Sequence, residues 1–332
     1  MQTTNNGYVV TTPDYFIPVF NPSIFKVEGV ESSATLEITS EGTSFIDIRQ
    51  AMGGVVEWDI APYLHALYAN FHINKIREKI ITVKILADGM VSFIHNSEYM
   101  VLRAYSSPLM PFGHPVRQVY YRALRDNINQ IFTLVTNGKS MVATDNDDYN
   151  GEFLTPFVGY KDFSLKSIFN DHEAIAVTVY KEDGNDAIYS FRTDDSTCGV
   201  MLKWLDAQGY YRYYLMQAGE STTTTKDSGE LIPMMFNAPR TIFYDEESVT
   251  AQVGIPQGVS VEQSQKLCAT FSDEEDRELL DTIFFAPLVW VVNTNNGKET
   301  PVTIKRGSRS TANGLQDYEI EIKYPAPQTM ML

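Results

Sequence analysis

Two stretches of the sequence resemble catalytic or phosphate-binding motifs, and each lacks a residue that the chemistry needs. Segment 137–140, Asn-Gly-Lys-Ser, follows a predicted strand like the end of a phosphate-binding loop, but the first glycine of that loop would fall at Thr133. His172 and Glu173 begin like a zinc-protease helix, but the second histidine would fall at Ala176. We therefore predict turn residues at 137–140 and no zinc site at His172.

An acidic run at Asp145–Gly151 resembles a calcium-binding loop. Its twelfth position is Phe157, where such a loop needs a bidentate glutamate, so we predict a solvated linker and leave open a weak cation site of another type. The five histidines show no metal-ligand spacing, and no Gly-x-Ser-x-Gly elbow is present. We predict no catalytic, cofactor-binding or metal residues, and no enzymatic activity. Carboxylate pairs for glycan hydrolysis assemble in space, so a β-rich glycan hydrolase stays open as a second alternative.

The charge of the chain bounds its partners. Lys and Arg total 26 against 42 Asp and Glu, a formal net charge of −16, which repels nucleic acid unless a local basic patch overrides it. The two basic clusters are small, and we predict solvated strand ends or loops there rather than a phosphate site: Arg117, Arg122 and Arg125, and Lys305, Arg306 and Arg309. Nucleic acid is therefore excluded as a partner.

The two cysteines, Cys198 and Cys268, are too few for a disulfide framework and predict buried free thiols. The sequence shows no signal-peptide pattern at its start and no apolar run long enough to span a membrane. We expect no membrane insertion and synthesis in a cytoplasm.

The clearest local structure that must carry any site is a β-hairpin within Cys198–Gly219. Apolar and polar residues alternate on both sides of a turn that begins at Asp206 and contains Gly209. This pattern predicts that Trp204 is buried and that Gly209 has a positive φ. The hairpin tyrosines predict cross-strand packing, with exposed stacking platforms for a sugar as the alternative.

Short alternating segments separated by turn residues open the chain and are typical of a β-sandwich or barrel. We predict strands at Tyr8–Thr12, Tyr15–Phe20, Ser23–Val30, Ala34–Thr39, Ser44–Arg49, Lys79–Leu86 and Tyr99–Tyr105, after a polar tail that ends near Gly7. The fold class is all-β to β-rich α+β, with tandem sandwich-like or barrel-like domains and a few short helices. We place domains at 1–139, 140–231 and 232–332.

The middle of the chain predicts a second hairpin, Val119–Leu124 with Gln130–Val135, and a helix near Asp162 that echoes one at Asp59. An internal duplication and two unrelated meanders both stay open. Glu220–Gly229 predicts a flexible polar loop.

The C-terminal third predicts helices after the capping boxes at Ser260 and Ser272. It also predicts strands at Arg240–Tyr244, Thr250–Gly254, Leu288–Asn293, Val302–Lys305 and Tyr318–Tyr324, with a loop at Gly307–Gly314.

Several stretches together resemble structural proteins of tailed-bacteriophage tail tips and baseplates: Phe20-Asn21-Pro22, Trp58-Asp59-Ile60, the central hairpin, and the closing segments 289–308 and 315–325. The resemblance implies a non-enzymatic virion component that is made in the host cytoplasm, oligomerises and binds neighbouring tail proteins. Contacts are expected at strand edges and at loops Ser106–Pro115 and Glu220–Gly229. A carbohydrate-binding or adhesin module that uses exposed Tyr and Trp is the first alternative.

Overall fold

A computed structural model describes residues 1–69, 77–90, 92–105, 113–145, 156–169, 176–181, 184, 186–234, 253–271, 273–312 and 315–325. The chain forms two compact units. Unit 1 contains residues 1–197, 203–214 and 274–287, and unit 2 contains residues 198–202, 215–273 and 288–332. The three predicted domains stay a prediction.

Unit 1 begins with two sheets that pack face to face. Their strands are β1 (Gln2–Asn5), β2 (Tyr8–Thr11), β3 (Phe16–Pro18), β4 (Ile24–Glu28), β5 (Ser33–Ser40), β6 (Thr43–Gln50), β7 (Val55–Asp59), β8 (Glu78–Ala87) and β9 (His95–Leu102). One sheet has the order β1-β2-β4-β7 and the other β3-β9-β8-β5-β6. A shared core lies between them, because alternate residues of the inner strands are buried and most of these are apolar, as Val27, Leu36 and Val83 are. The predicted opening strands are confirmed.

The second part of unit 1 holds β10 (Gln118–Tyr121), β11 (Ile131–Asn137), β12 (Met141–Thr144), β13 (Val158–Ser164), β14 (Ala176–Tyr180) and β15 (Ala187–Asp194). The predicted hairpin of Val119–Leu124 with Gln130–Val135 is wrong. β10 pairs parallel with β15, and β11 pairs antiparallel with β13. The turn between them is a 3₁₀ helix, Arg122–Leu124, which directs the two strands into different sheets.

Unit 2 contains most of a closed barrel with the order β16-β17-β18-β21-β20-β19. The strands are β16 (Val200–Leu205), β17 (Tyr211–Met234), β18 (Val253–Phe271), β19 (Leu288–Val292), β20 (Glu299–Ala312) and β21 (Leu315–Lys323). Apolar side chains of unit 2 fill the barrel interior, among them Leu267, Ile320 and Ile322, each fully buried. The β-rich fold class is therefore confirmed.

Among the described residues, the α-helices are few and short: Ala61–Ala69, Leu165–Phe169 and Glu274–Asp281. The helix predicted at Asp59 is present, and the Asp59 carboxylate caps it by accepting a hydrogen bond from the Ala61 N–H at 3.0 Å. The helix predicted after Ser260 is wrong, since residues 253–271 form β18. The polar tail predicted before Gly7 is also wrong in part, because Gln2–Asn5 pairs with β2. Among the described residues, no helix is long and apolar enough to cross a membrane.

Candidate assembly surface

A two-stranded ribbon extends from the sheet of unit 2. β17 and β18 pair from Gln217↔Cys268 to Met234↔Val253, whereas β18 pairs with β21 only over Ser264–Phe271. Beyond Ser264, within the part of the chain that the structure describes, these two strands pair only with each other. We call residues 222–234 and 253–263 the ribbon. At about 3.3 Å per residue, it is roughly 40 Å long.

The ribbon corrects a prediction. Glu220–Gly229 is part of strand β17 and not a flexible loop. Threonine is β-branched and favours extended backbone, so the run Thr222–Thr225 stabilises a strand even though each of its side chains is exposed.

The direction of the backbone groups along β17 follows from one hydrogen bond. The Tyr324 N–H donates to the Gln263 carbonyl at 2.9 Å, so the backbone groups of Gln263 point away from β17. Thr223 lies directly opposite Gln263, so the two form a non-hydrogen-bonded pair, and the N–H and C=O of Thr223 point away from β18. The same holds at every second residue, Thr225 and Asp227, because the register is continuous from Ser221 to Ser228. We call these outward groups of Thr223, Thr225 and Asp227 the open edge.

An open edge of this kind accepts another strand. The outward N–H and C=O groups have the spacing that a β-sheet partner requires, and isolated two-stranded ribbons are at best marginally stable in water. Side chains on the described part of the edge are small and exposed, so they leave the backbone approachable.

The outward face of the neighbouring sheet is charged and internally paired. Three ion pairs cross between its strands: Lys323 with Glu262 at 2.9 Å, Lys305 with Glu321 at 2.9 Å, and Lys266 with Glu319 at 3.7 Å. They lie in or beside a polar concavity of about 370 Å³ that Thr222 and Thr224 also line. Alternation explains this face on β21, since Ile320 and Ile322, which lie between Glu319, Glu321 and Lys323, are buried.

The central hairpin is confirmed, and it belongs to structure rather than to recognition. Trp204 is fully buried, and its indole N–H donates to the Thr282 hydroxyl at 2.8 Å. Gly209 has φ +84°, and its N–H donates to the Asp206 carbonyl at 3.1 Å. Tyr210, Tyr213 and Tyr214 are all buried, so they cannot present stacking platforms to a sugar. Tyr211 is half-buried, and the Arg77 guanidinium and the Lys203 ammonium already lie over its ring.

One buried residue pair went unrecognised in the sequence. Arg212 and Asp206 are each 1% exposed and are joined at 2.9 Å, while Asp206 also accepts the N–H groups of Gln208 and Tyr210. The alternation of apolar and polar residues did not single out Arg212. The signal that could have found the pair is a turn aspartate followed six residues later by an arginine on the adjoining strand, because this spacing lets the guanidinium reach back to the carboxylate across the turn.

The phosphate-loop-like segment forms a turn. The Asn137 side chain accepts the Lys139 N–H at 3.0 Å, and Gly138 has φ +80°. Asn137, Lys139 and Ser140 line a cleft of about 310 Å³ in unit 1, together with apolar residues that include Val135 and Val179. Segment 137–140 is thus a turn that connects β11 to β12, as predicted.

Four of the predicted stretches lie outside the residues that the structure describes. They are the calcium-loop-like run after Asp145, the pair His172 and Glu173, segment 106–112 of the predicted loop, and the predicted strand Arg240–Tyr244. Among the residues that the structure describes, no group of three or more His, Cys, Asp or Glu side chains converges as metal ligands would.

Two arginines of the first basic cluster make ion pairs within the chain. Arg122 holds Asp195 by two hydrogen bonds of 2.9 and 2.6 Å, and Arg117 lies 2.7 Å from Glu275. Neither cysteine forms a disulfide, but Cys198 is exposed and Cys268 is only half-buried, so the prediction of buried thiols is wrong. Cys198 lies just before β16, where the chain has not yet entered the sheet.

Comparison with known proteins gives little. No family model matches the chain, and no curated protein matches it. One solved structure that is similar to part of it is described as the tail of an empty GTA particle computed with helical refinement in C6 symmetry. The two chains are 16% identical, the match covers 41% of this chain and 99% of the other, and the TM-score is 0.25. At that TM-score, this chain's own residues must carry any inference about its assembly.

Proposed function

We propose that this protein is a non-enzymatic structural subunit of a phage-like tail or baseplate, which oligomerises and binds neighbouring tail proteins through the ribbon. The open edge of β17 is the observation that carries the mode of assembly. The assignment to a virion, made in a host cytoplasm, comes from the sequence resemblance given above. Neither nucleic acid nor a membrane is part of the proposal.

The open edge of β17 can bind a partner by strand addition. A partner strand would pair with the N–H and C=O groups of Thr223, Thr225 and Asp227, and main-chain bonds of this type need no special side chain. The ribbon would then become the centre of a wider sheet, which stabilises both strands. The neighbouring charged face is already paired within the chain, so it needs no partner to satisfy its lysines.

The test removes one outward donor and leaves the ribbon's own bonds in place. Thr223→Pro deletes the outward N–H and places a ring at the edge, whereas Thr223→Val keeps the N–H and the β-branched shape. Thr224→Pro is the internal comparison, since the Thr224 N–H points at β18. Sedimentation velocity and negative-stain electron microscopy of the full chain would follow assembly.

We expect Thr223→Val to assemble like the unmodified chain and Thr223→Pro to lose the higher-order assembly that the ribbon builds, with an unchanged circular dichroism spectrum. Thr224→Pro should weaken the ribbon itself, which hydrogen exchange would detect. Amides of Thr223 and Thr225 should exchange rapidly in the monomer and slowly in the assembly. Normal assembly by Thr223→Pro would rule out the open edge as the contact.

A further inference from the structure

A second open edge lies in unit 1, on strand β6. Among the residues that the structure describes, β6 pairs only with β5, over eight residues in continuous register from Ser33↔Gln50 to Ser40↔Thr43. The Asp88 N–H donates to the Ser33 carbonyl at 2.8 Å, so the backbone groups of Ser33 face β8. Gln50, opposite Ser33, therefore directs its N–H and C=O outward.

The alternation extends along the strand. Ser44, Ile46, Ile48 and Gln50 all direct backbone groups outward, and the bond from the Ala51 N–H to the Ser32 carbonyl, 2.8 Å, agrees with this phase. We call these outward groups the β6 edge.

Exposed apolar side chains lie on the same residues as the outward backbone groups. Ile46 is 65% exposed and Ile48 is 63% exposed. Natural edge strands are usually protected by proline, lysine, a bulge or inward-pointing charges. Of these, β6 carries only the charges of Asp47 and Arg49, which are paired with each other at 3.0 Å. A long, flat edge with two exposed isoleucines is suited to a partner strand that also carries apolar side chains.

The opposite face of β6 carries one charge of each sign. Asp47 accepts hydrogen bonds from the Arg49 Nε at 3.0 Å and from the Tyr63 hydroxyl at 2.9 Å. Their spacing of two residues places both charges on one face of the strand. A partner strand that pairs with β6 therefore lies beside the negative Asp47 and, two residues further along the strand, the positive Arg49.

We propose that β6 pairs antiparallel with β6 of a second copy of this chain, around a two-fold axis at Ile48. In this register Ile48 lies opposite the second copy's Ile48, and Ile46 lies opposite the second copy's Gln50. Asp47 then lies opposite the second copy's Arg49, and symmetry repeats that pair. The inference uses unit 1 alone and does not depend on the ribbon.

The charges select this register from its neighbours. Outward groups must face outward groups, so the axis must pass through a residue of the strand, and the positions nearest to Ile48 are Arg49, Asp47 and Ile46. An axis at Arg49 places that guanidinium opposite its own copy, which is a like-charge contact. An axis at Asp47 places that carboxylate opposite its own copy, which is a like-charge contact. An axis at Ile46 places Asp47 opposite an apolar side chain, Phe45. Only the axis at Ile48 gives Asp47 an oppositely charged partner.

The predicted dimer is weak, because one strand edge buries less area than a stable interface requires. Two-fold symmetry makes each substitution act twice, which helps its detection. All variants below carry Thr223→Pro, so that ribbon assembly does not contribute.

Cysteine cross-linking tests the register. In a background with Cys198→Ser and Cys268→Ser, Ile48→Cys should form an intermolecular disulfide under mild oxidation, because directly opposite residues have Cα atoms about 5.5 Å apart. Ile46→Cys is the matched control: the two cysteines would be separated by four residues along the strands, roughly 13 Å, which is too far to bridge. Equal cross-linking at both positions, or none at Ile48→Cys, would overturn the proposal.

Charge complementation tests the pair of Asp47 with Arg49. Asp47→Arg makes both positions positive, and Arg49→Asp makes both negative, so neither variant should self-associate. An equimolar mixture should recover a heterodimer in sedimentation velocity. Ile48→Lys should weaken the dimer about tenfold or more, whereas Ile188→Lys, at an isoleucine that is 59% exposed on β15, should have no effect. A mixture that stays monomeric would contradict the proposed register.

Discussion

Replacing Gly209 by valine tests the turn that sets the central hairpin. Gly209 has φ +84°, where an L side chain costs about 1–2 kcal/mol. A Cβ atom at this position would lie 2.7 Å from the Cζ atom of Tyr160 and closer still to its hydroxyl oxygen. The Tyr160 ring must therefore move.

The movement of Tyr160 has its own cost. Its hydroxyl donates to the Gln208 carbonyl at 2.6 Å, a bond whose loss costs about 1 kcal/mol. Together with the backbone strain, Gly209→Val should lower the free energy of unfolding by about 2–3 kcal/mol. For a unit of this size, that corresponds to a fall in Tm of roughly 5–10 °C.

A second glycine supplies the control for that measurement. Gly42 has φ +82°, and a Cβ atom there would meet nothing within 4 Å. Gly42→Val should therefore show the backbone strain alone. Chemical denaturation and calorimetry of both variants would separate the two costs. Equal losses in the two variants would refute the steric argument at Tyr160, and an unchanged Tm in Gly209→Val would refute the turn itself.

Three further predictions follow from buried or bonded groups. Hydrogen bonds from the N–H groups of Glu31 and Ser32 hold the pKa of Asp88 far below its usual range. The ionised carboxylate therefore stabilises the fold above about pH 4, and this contribution is lost as the pH falls further. The Tm of the unmodified chain should decline more steeply below pH 4 than the Tm of Asp88→Asn. Arg212→Met should destabilise unit 1 by about 3–5 kcal/mol, because it leaves the Asp206 carboxylate buried without its cation. Arg212→Met with Asp206→Asn should recover part of the loss in denaturant titrations, because the amide oxygen carries no charge and can still accept the N–H groups of Gln208 and Tyr210. Gly159→Ala should lower the Tm, since a Cβ atom there would collide with the Glu78 carboxylate that accepts the Tyr160 N–H at 2.6 Å, whereas Gly184→Ala, with nothing within 4 Å, should give the strain alone; equal shifts in the two would contradict a role for the Glu78 contact.

Local patterns predicted the parts of the fold whose pairing is also local. The strands from Tyr8 to Arg49 alternate with period two and are separated by turn residues, so periodicity alone found them. The hairpin around Asp206 was found for the same reason, since its turn chemistry and its register depend on residues that are close in sequence.

Pairing between distant segments was not predictable from these patterns. Val119–Leu124 and Gln130–Val135 have the spacing of a hairpin, but each finds a better partner far along the chain, β15 and β13. The sequence near Ser260 meets the rule for a helix cap, yet β17 holds it as a strand over its whole length. Tertiary pairing overrides local propensity in both cases.

The candidate surfaces were also beyond local patterns, because an open edge is defined by the strands that are absent from it. Thr222–Thr225 seemed to be a loop since it is polar throughout, but period-two alternation appears only where one face of a strand is buried. In the ribbon, both faces of this segment are exposed. A polar, β-branched run between two strands is thus better explained as an extended ribbon than as a loop.

The net charge of the chain and the open edges of β17 and β6 act over different distances between two copies. A net charge of −16 repels a second copy over tens of ångströms, but salt at about 0.1 M screens that repulsion beyond roughly 10 Å. Strand pairing acts at contact, where paired strands lie about 4.8 Å apart. Repulsion therefore slows chance encounters between edges, and only pairings with a complementary register, such as Asp47 opposite Arg49, offset it. A strongly acidic chain can in this way carry exposed edges that a neutral chain would lose to aggregation.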